Sequence, residues 1–240
     1  MKTALVTGGG VRIGRALALA LASDGYDVVV HYCRNGGPAA EVVGLIEGLG
    51  RRAWAVAADF GEPGAAKRLF AAALEVAGMV DVVVNNAAIF TKGVLSEATE
   101  DDFVQVWRVN VMAPVMLTKA LAAHVIGRGA TAEGCAVNLL DCRINGDCSD
   151  CLAYGASKRA LAGFTRDAAL GLAPQVRVNA IAPGPVLPPP TGAPREAAGS
   201  VPLQARPTPE EIATALLFLI KAKTVTGQTI FVDGGQGLVR

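Results

Sequence analysis

The chain alternates short runs of aliphatic and β-branched residues with longer stretches in which apolar residues recur at helical spacing. Seven apolar runs, at 3–7, 27–32, 52–57, 80–85, 134–140, 175–181 and 228–232, have the length of buried strands. Between them the spacing changes to three and four. Ile13, Leu17, Ala20 and Leu21 follow the first run, and Ile212, Ala215, Leu216 and Leu219 precede the last. Apolar strands separated by helices predict a parallel sheet covered on both faces. The pattern reads as one doubly wound α/β domain over residues 1–240, with no linker and no repeat of solenoid length.

One stretch breaks the rhythm. Residues 183–209 hold nine of the thirteen prolines, among them Pro188-Pro189-Pro190. Proline removes a backbone donor and obstructs both helix and sheet, so an extended loop is expected. It follows the sixth strand, on the carboxyl side of the sheet where ligands bind in such folds, and suits a substrate lid.

Composition narrows the function classes. Hydrophobic residues make up 52% and charged residues 18%, which excludes global disorder. Aromatics are only 5%, so Ala, Val and Leu must fill the core. The net charge of +1, with no long basic run, gives nucleic acid or an anionic membrane surface nothing to grip. No uninterrupted apolar stretch reaches the ~20 residues of a membrane span, and the N-terminus enters a strand directly rather than a secretory leader. Five cysteines, at 33, 135, 142, 148 and 151, are an odd and scattered set that fits a reduced cytoplasmic protein. Cys142, Cys148 and Cys151 lack a fourth ligand, since His31 and His124 lie far off in sequence, and read as thiols rather than a metal site.

Thr7-Gly8-Gly9-Gly10-Val11-Arg12-Ile13-Gly14 stands between the first strand and the first helix. Glycines there let the backbone approach a pyrophosphate, which the helix N-terminus stabilises. The second strand ends in His31-Tyr32-Cys33-Arg34-Asn35. An NAD-binding chain would carry an acid about 20 residues past the glycines; here that position is Arg34. A guanidinium at the strand exit suits the extra 2′-phosphate of NADP, and Arg12 adds a second positive charge.

Tyr154 and Lys158 lie four apart on one helix face. A free phenol titrates at about 10, and a neighbouring ammonium favours its ionised form.

In combination, Thr7-Gly-x-x-x-Arg12-Ile13-Gly14, Asn85-Asn86-Ala87-Ala88, Asn110, Tyr154-x-x-x-Lys158 and Pro183-Gly184 resemble the short-chain dehydrogenase/reductase family over nearly the whole chain. The resemblance implies a seven-stranded Rossmann sheet in the order 3-2-1-4-5-6-7, assembled into dimers or tetramers. The long helices at 99–127 and 153–173 are the segments that would pair subunits. It also implies that Tyr154 is the proton donor and that Lys158 lowers its pKa while binding the nicotinamide ribose. Asn110 would hold a water of the proton relay, Asp59 would meet the adenine, and Asn85 would line the cofactor site. Gly8, Ile13, Gly14, Asn35, Pro183 and Gly184 fall on the family's cofactor-binding motifs.

Three departures point to a branch. Asp141, thirteen residues before Tyr154, stands where the family carries a catalytic serine; Arg12 replaces the middle glycine; and Ala88 is followed by Ile89-Phe90. With His31-Tyr32-x-Arg34, these look like the pteridine reductases, in which a Phe at the position of Phe90 stacks on the pterin. Ala88 departs from that branch, which carries a substrate-binding serine there. A serine hydroxyl donates to a carbonyl, whereas an ionised carboxylate only accepts. Asp141 therefore suits a ring that offers N–H donors and needs a nitrogen protonated as hydride arrives, by accepting or, when protonated, by donating.

The expected activity is NADPH-dependent reduction of a C=N bond in a dihydropterin-like ring, with Phe90, Arg12, Asp141 and Tyr154 around the substrate. Reduction of a ketone or 3-oxoacyl carbonyl is the alternative, and a non-catalytic NADP-binding regulatory module is a second.

Overall fold

The computed structural model describes residues 2–187 and 201–239; the Pro188-Pro189-Pro190 run of the expected lid lies outside them. Seven parallel strands form one sheet: β1 (Thr3–Val6), β2 (Asp27–Tyr32), β3 (Ala53–Ala57), β4 (Val82–Asn85), β5 (Gly134–Leu139), β6 (Val176–Pro183) and β7 (Thr229–Val232). Their order is β3-β2-β1-β4-β5-β6-β7, the one expected from the sequence. Each predicted strand is present with its ends at most two residues from those expected.

The helices are α1 (Arg12–Ser23), α2 (Gly37–Gly48), α3 (Ala65–Ala77), α4 (Glu100–Trp107), α5 (Ala113–Gly127), α6 (Leu152–Gly171) and α7 (Pro209–Lys221). A five-residue π-helical segment, Arg108–Met112, joins α4 to α5. Strand side chains alternate between two cores because the strand period is two. Ala4, Val6, Val28, Val30, Val82 and Val84 meet Leu17, Leu21, Ile46, Ile212 and Leu216 on one face. Leu5, Val29 and Val83 meet Leu69, Phe70, Leu117 and Leu121 on the other. Both faces of β1, β2, β4, β5 and β6 are thus largely buried, which is why these strands read as continuous apolar runs, while the edge strands β3 and β7 stay partly exposed.

Two helices start with full capping boxes. Thr99 pairs with Asp102 before α4, and Thr208 pairs with Glu211 before α7. The joined run Glu100–Gly127 meets the length and mean hydropathy of a membrane span, where the sequence led us to expect no such segment. The difference arises because α4, the π-helical segment and α5 continue without a break. Half of its most apolar window is buried inside the protein, as in a core helix.

The order of the strands reverses between β1 and β4, which opens a crevice at their carboxyl ends. The described ends of the proline-rich segment pack onto the protein. Val186 and Val201 are buried, and the Leu203 amide donates to the Gly234 carbonyl.

Candidate active site

The crevice begins with the glycine loop. Gly8 has φ +61°, and a Cβ on Gly14 would lie 2.0 Å from the Gly8 carbonyl oxygen, so only glycine permits this packing of loop against helix. The N-cap of α1, Val11, makes no side-chain cap, and the first turn contains no acid. The amides of that end are therefore oriented for an anion. Arg12 has φ +54°, the left-handed region that glycine occupies freely and arginine does not. That conformation fits the glycine that the resemblance places here and makes Arg12 a strained position. Ile13, the next residue, is half-buried against the α1–α7 core.

Two residues brace the loop from outside. Asn86 donates its side-chain amide to the carbonyls of Thr7 (2.8 Å) and Gly8 (3.2 Å). His31 accepts from the Gly8 amide through Nδ1 (3.0 Å), and its Nε2 lies 2.9 Å from the Ala58 carbonyl. Because Nδ1 accepts, the ring proton sits on Nε2 and the imidazole is neutral. Burial pulls its pKa below the usual 6.5, and the ring stacks on Phe60 at 4.6 Å. Both ring nitrogens are engaged by backbone groups, so His31 braces the glycine loop.

At the exit of β2, Arg34 is exposed and pairs with Asp59 at 3.5 Å. Asp59 in turn accepts from the Gly61 amide, which holds its carboxyl below the usual range. Tyr32 is half-buried with its ring against Gly36, and Asn35 Oδ1 accepts from the Gly37 amide at the start of α2. Arg34 and Asn35 thus lie in the short link between β2 and the start of α2.

Asn85 is buried and donates to Asn138 Oδ1 (2.8 Å), and Asn138 donates to Thr165. This polar ladder ties β4 to β5 and α6, and Asn85 Oδ1 has no hydrogen-bond partner within it. Pro183 ends β6, and the Gly184 amide donates to the Val232 carbonyl. A Cβ on Gly184 would lie 2.9 Å from Asp233 Cα, so that turn requires glycine.

The reactive end lies where β5 and α6 meet. Tyr154 is buried and donates its hydroxyl to Asp141 Oδ2 at 3.0 Å. Lys158 is buried, and its Nζ donates to the Leu139 carbonyl at 2.7 Å. Burial lowers the Lys158 ammonium to about 8. Tyr154 moves the other way: burial, then the Asp141 carboxylate, raises its phenol well above 10. The expected lowering of Tyr154 by Lys158 is therefore reversed. The lysine is held on a backbone carbonyl while a carboxylate occupies the hydroxyl, so the phenol keeps its proton.

Asn110, in the π-helical segment, spans Ile89 in both directions: its Oδ1 accepts from the Ile89 amide (2.9 Å) and its Nδ2 donates to the Ile89 carbonyl (3.0 Å). It also donates to Ser157 Oγ at 3.1 Å. The π bulge turns Asn110 inward, and its bonds to Ile89 fix the segment carrying Phe90. Phe90 is half-exposed and meets Tyr154 edge-on, with ring centroids 4.8 Å apart.

The residue that sequence reasoning missed is Arg143. Its backbone amide donates to Asp141 Oδ1 at 2.9 Å, and its guanidinium pairs with the same carboxylate at 3.3 Å. It lies 5.5 Å from the Phe90 ring centroid and 5.7 Å from that of Tyr154. The only signal was its place two residues after Asp141, in a loop with no periodic pattern. None of the five cysteines is in a disulfide, and no group of three or more metal-ligating side chains occurs among the described residues.

A parallel Rossmann sheet with a glycine cradle at the reversal of strand order, and a Tyr–Lys pair on the adjoining helix, defines a nucleotide-dependent oxidoreductase. The chain belongs to the short-chain dehydrogenase/reductase family: residues 10–236 match the family model described as enoyl-(acyl carrier protein) reductase. It is similar to a solved structure of FolM alternative dihydrofolate reductase 1 from Brucella canis complexed with NADP. That likeness is 32% identity and TM-score 0.90, covering 100% of this chain and 95% of that one. It is equally similar to acetoin dehydrogenase from Enterobacter cloacae, with 31% identity, TM-score 0.91, and 100% and 97% covered. L-rhamnose 1-dehydrogenase (NAD(P)(+)) from a Sphingomonas species is 32% identical over 98% of this chain and 96% of its own.

Proposed function

We propose that this oxidoreductase uses NADPH to reduce a C=N bond in a dihydropterin-like ring. The observation that carries the reading is the Tyr154–Asp141 bond at 3.0 Å. A carboxylate occupies the place from which a serine hydroxyl would donate to a carbonyl. An ionised carboxylate repels a developing alkoxide but accepts from ring N–H groups. The NADP complex of the FolM relative supports the same reading.

The residues fit the cofactor. The Gly8–Gly14 cradle, the uncapped end of α1 and Arg12 would hold the pyrophosphate. Arg34 and Asn35, at the start of α2, would meet the 2′-phosphate, and Asp59 the adenine. Tyr32, Ile13 and Asn85 would line the remainder of that wall, with Pro183 and Gly184 at the nicotinamide end. When bound, NADPH supplies the hydride. Lys158, released from Leu139, would hold the nicotinamide ribose. Tyr154, protonated at neutral pH, would deliver its proton to the ring nitrogen, and Asn110 would hold the water that reprotonates it. Phe90 offers an exposed ring face for stacking, and Asp141 accepts from the substrate's N–H groups.

Five cysteines outside any disulfide fit a cytoplasmic location. The apolar surface at Trp107, Met112 and Ile126 on the 100–127 run fits a homo-oligomer, dimer or tetramer. Carbonyl reduction is the second reading, favoured by the likeness to acetoin dehydrogenase.

The deciding experiment follows NADPH oxidation with dihydrobiopterin, dihydromonapterin and dihydrofolate against ketones and 3-oxoacyl thioesters. Turnover confined to pterins, abolished by Tyr154→Phe and shifted toward ketones by Asp141→Ser, is expected. Turnover confined to carbonyls in the parent protein overturns the pterin reading. Tight NADPH binding with no turnover of either class overturns catalysis altogether.

A further inference from the structure

Among the described residues, Asp141 has two sources of orientation on its own strand and loop. One is the Arg143 backbone amide and the other is the Arg143 side chain, whose Nε and Nη2 lie 3.3 and 3.4 Å from Oδ1 and Oδ2. Both oxygens are thus engaged by one residue, and the remaining bond at Oδ2 comes from the Tyr154 hydroxyl. The guanidinium is itself fixed. Its Nη1 donates to Cys151 Sγ at 3.3 Å and lies 3.9 Å from the Asp150 carboxylate. Its planar group sits within cation–π range of both Phe90 and Tyr154. The side chain is only 20% exposed, so neither the ion pair nor the ring contacts are diluted as on an open surface. Among the described residues, the charged and titratable groups around the carboxylate are Arg143, Tyr154 and Lys158, with Cys151 and Asp150 behind the guanidinium.

We propose that Arg143 is a positioning residue of this site: it aims the Asp141 carboxylate at the Tyr154 hydroxyl and holds the Phe90 and Tyr154 rings about that pair. It acts through Asp141 and does not itself contact the reacting atoms. Lysine keeps the charge but loses the fork and the planar stacking, so a partial replacement is built into the chemistry. The inference rests on the reading that Asp141 and Tyr154 handle the proton, and its test separates the two.

The test uses Arg143→Gln, Arg143→Lys, Asp141→Asn and the double variant Asp141→Asn/Arg143→Gln. The assays are kcat and KM on whichever of dihydrobiopterin and acetoin the parent turns over, NADPH affinity by fluorescence, and Tm. Arg143→Gln is expected to lower kcat by about 10- to 100-fold, part of the gain that a well-placed proton-transfer group supplies. NADPH affinity is expected to stay within about twofold, because the cradle lies on other strands. Arg143→Lys recovers part of kcat. The double variant is no slower than Asp141→Asn alone, and its Tm loss is smaller than the sum of the two single losses. Both follow if one residue acts through the other.

Losses in kcat that multiply, or losses in Tm that add, overturn the inference, as does an Arg143→Gln variant with the parent's kcat. If Asp141→Asn itself keeps the parent's kcat, the proton-handling reading fails. The Tm comparison then still decides whether Arg143 and Asp141 form one unit.

Discussion

His31 Nδ1 accepts a hydrogen bond from the Gly8 amide at 3.0 Å, so a ring on β2 sets the glycine loop that follows β1. The bond exists only while the imidazole is neutral. Burial keeps it so by holding the pKa below 6.5. The unfolded chain binds this proton more readily than the folded one, so the contribution is complete above about pH 6.5 and is lost as pH falls toward the lowered pKa. Tm and NADPH affinity should both decline on acidification from pH 7 to 5. In His31→Asn, the excess decline below pH 6.5 should disappear; a decline of equal steepness in that variant refutes the assignment.

Arg12 presents a contrast between stability and binding. Its φ of +54° is left-handed, a conformation that costs a non-glycine residue about 1–2 kcal/mol. Arg12→Gly is expected to raise Tm by a few degrees while weakening NADPH binding by about tenfold through loss of a phosphate-facing charge. A variant that gains stability and binds NADPH as tightly as the parent would leave the arginine without its role at the phosphates.

Lys158 gives a pH signature in the alkaline range. Its ammonium is held at about 8 by burial, against an ordinary 10.5. At about 1.4 kcal/mol per decade, keeping it charged at pH 7 costs the cofactor-free fold about 3 kcal/mol. The unfolded chain binds more protons between pH 8 and 10.5, so the stability of the parent should rise across that window relative to Lys158→Met. Thermal unfolding at pH 7.5, 9 and 10 measures this directly. Parallel Tm curves for the two proteins would place the lysine in water rather than in the core.

Arg34 should decide between the two dinucleotides. Its side chain is 88% exposed and its bond to Asp59 is long, so removing it costs little stability. Arg34→Asp is expected to weaken NADPH by about tenfold or more, since a charge-assisted phosphate contact becomes a repulsion, and to leave NADH within about threefold. Titration of both dinucleotides against parent and variant settles it; an equal loss for both would move the 2′-phosphate elsewhere.

The fold was legible because its signals are local and periodic. Val28-Val29-Val30 and Val82-Val83-Val84 announce strands buried on both faces, and Gly8, Gly10 and Gly14 occur together only where backbone must pass close to backbone. Tyr154 and Lys158 could be placed on one helix face from their spacing alone.

What the spacing could not supply was the neighbour across space. The sequence put Lys158 beside Tyr154 and so anticipated a lowered phenol, but packing sends Nζ to the Leu139 carbonyl and brings the Asp141 carboxylate to the hydroxyl. The sequence also put His31 close to Arg34, but β2 runs beside β1 and turns the imidazole inward to Gly8. Asn86 was visible within its motif, yet its bonds to Thr7 and Gly8 cross 79 and 78 positions of chain. Arg143 lies two residues from Asp141, in a loop without periodicity, and only the folded turn brings its guanidinium over Phe90 and Tyr154. The sequence by itself determined which elements form and which chemical groups the crevice contains, because backbone preference and burial act over a few residues. The tertiary structure alone decided which group bonds to which, because hydrogen bonds and ion pairs act over about 3 Å and depend on how distant segments pack.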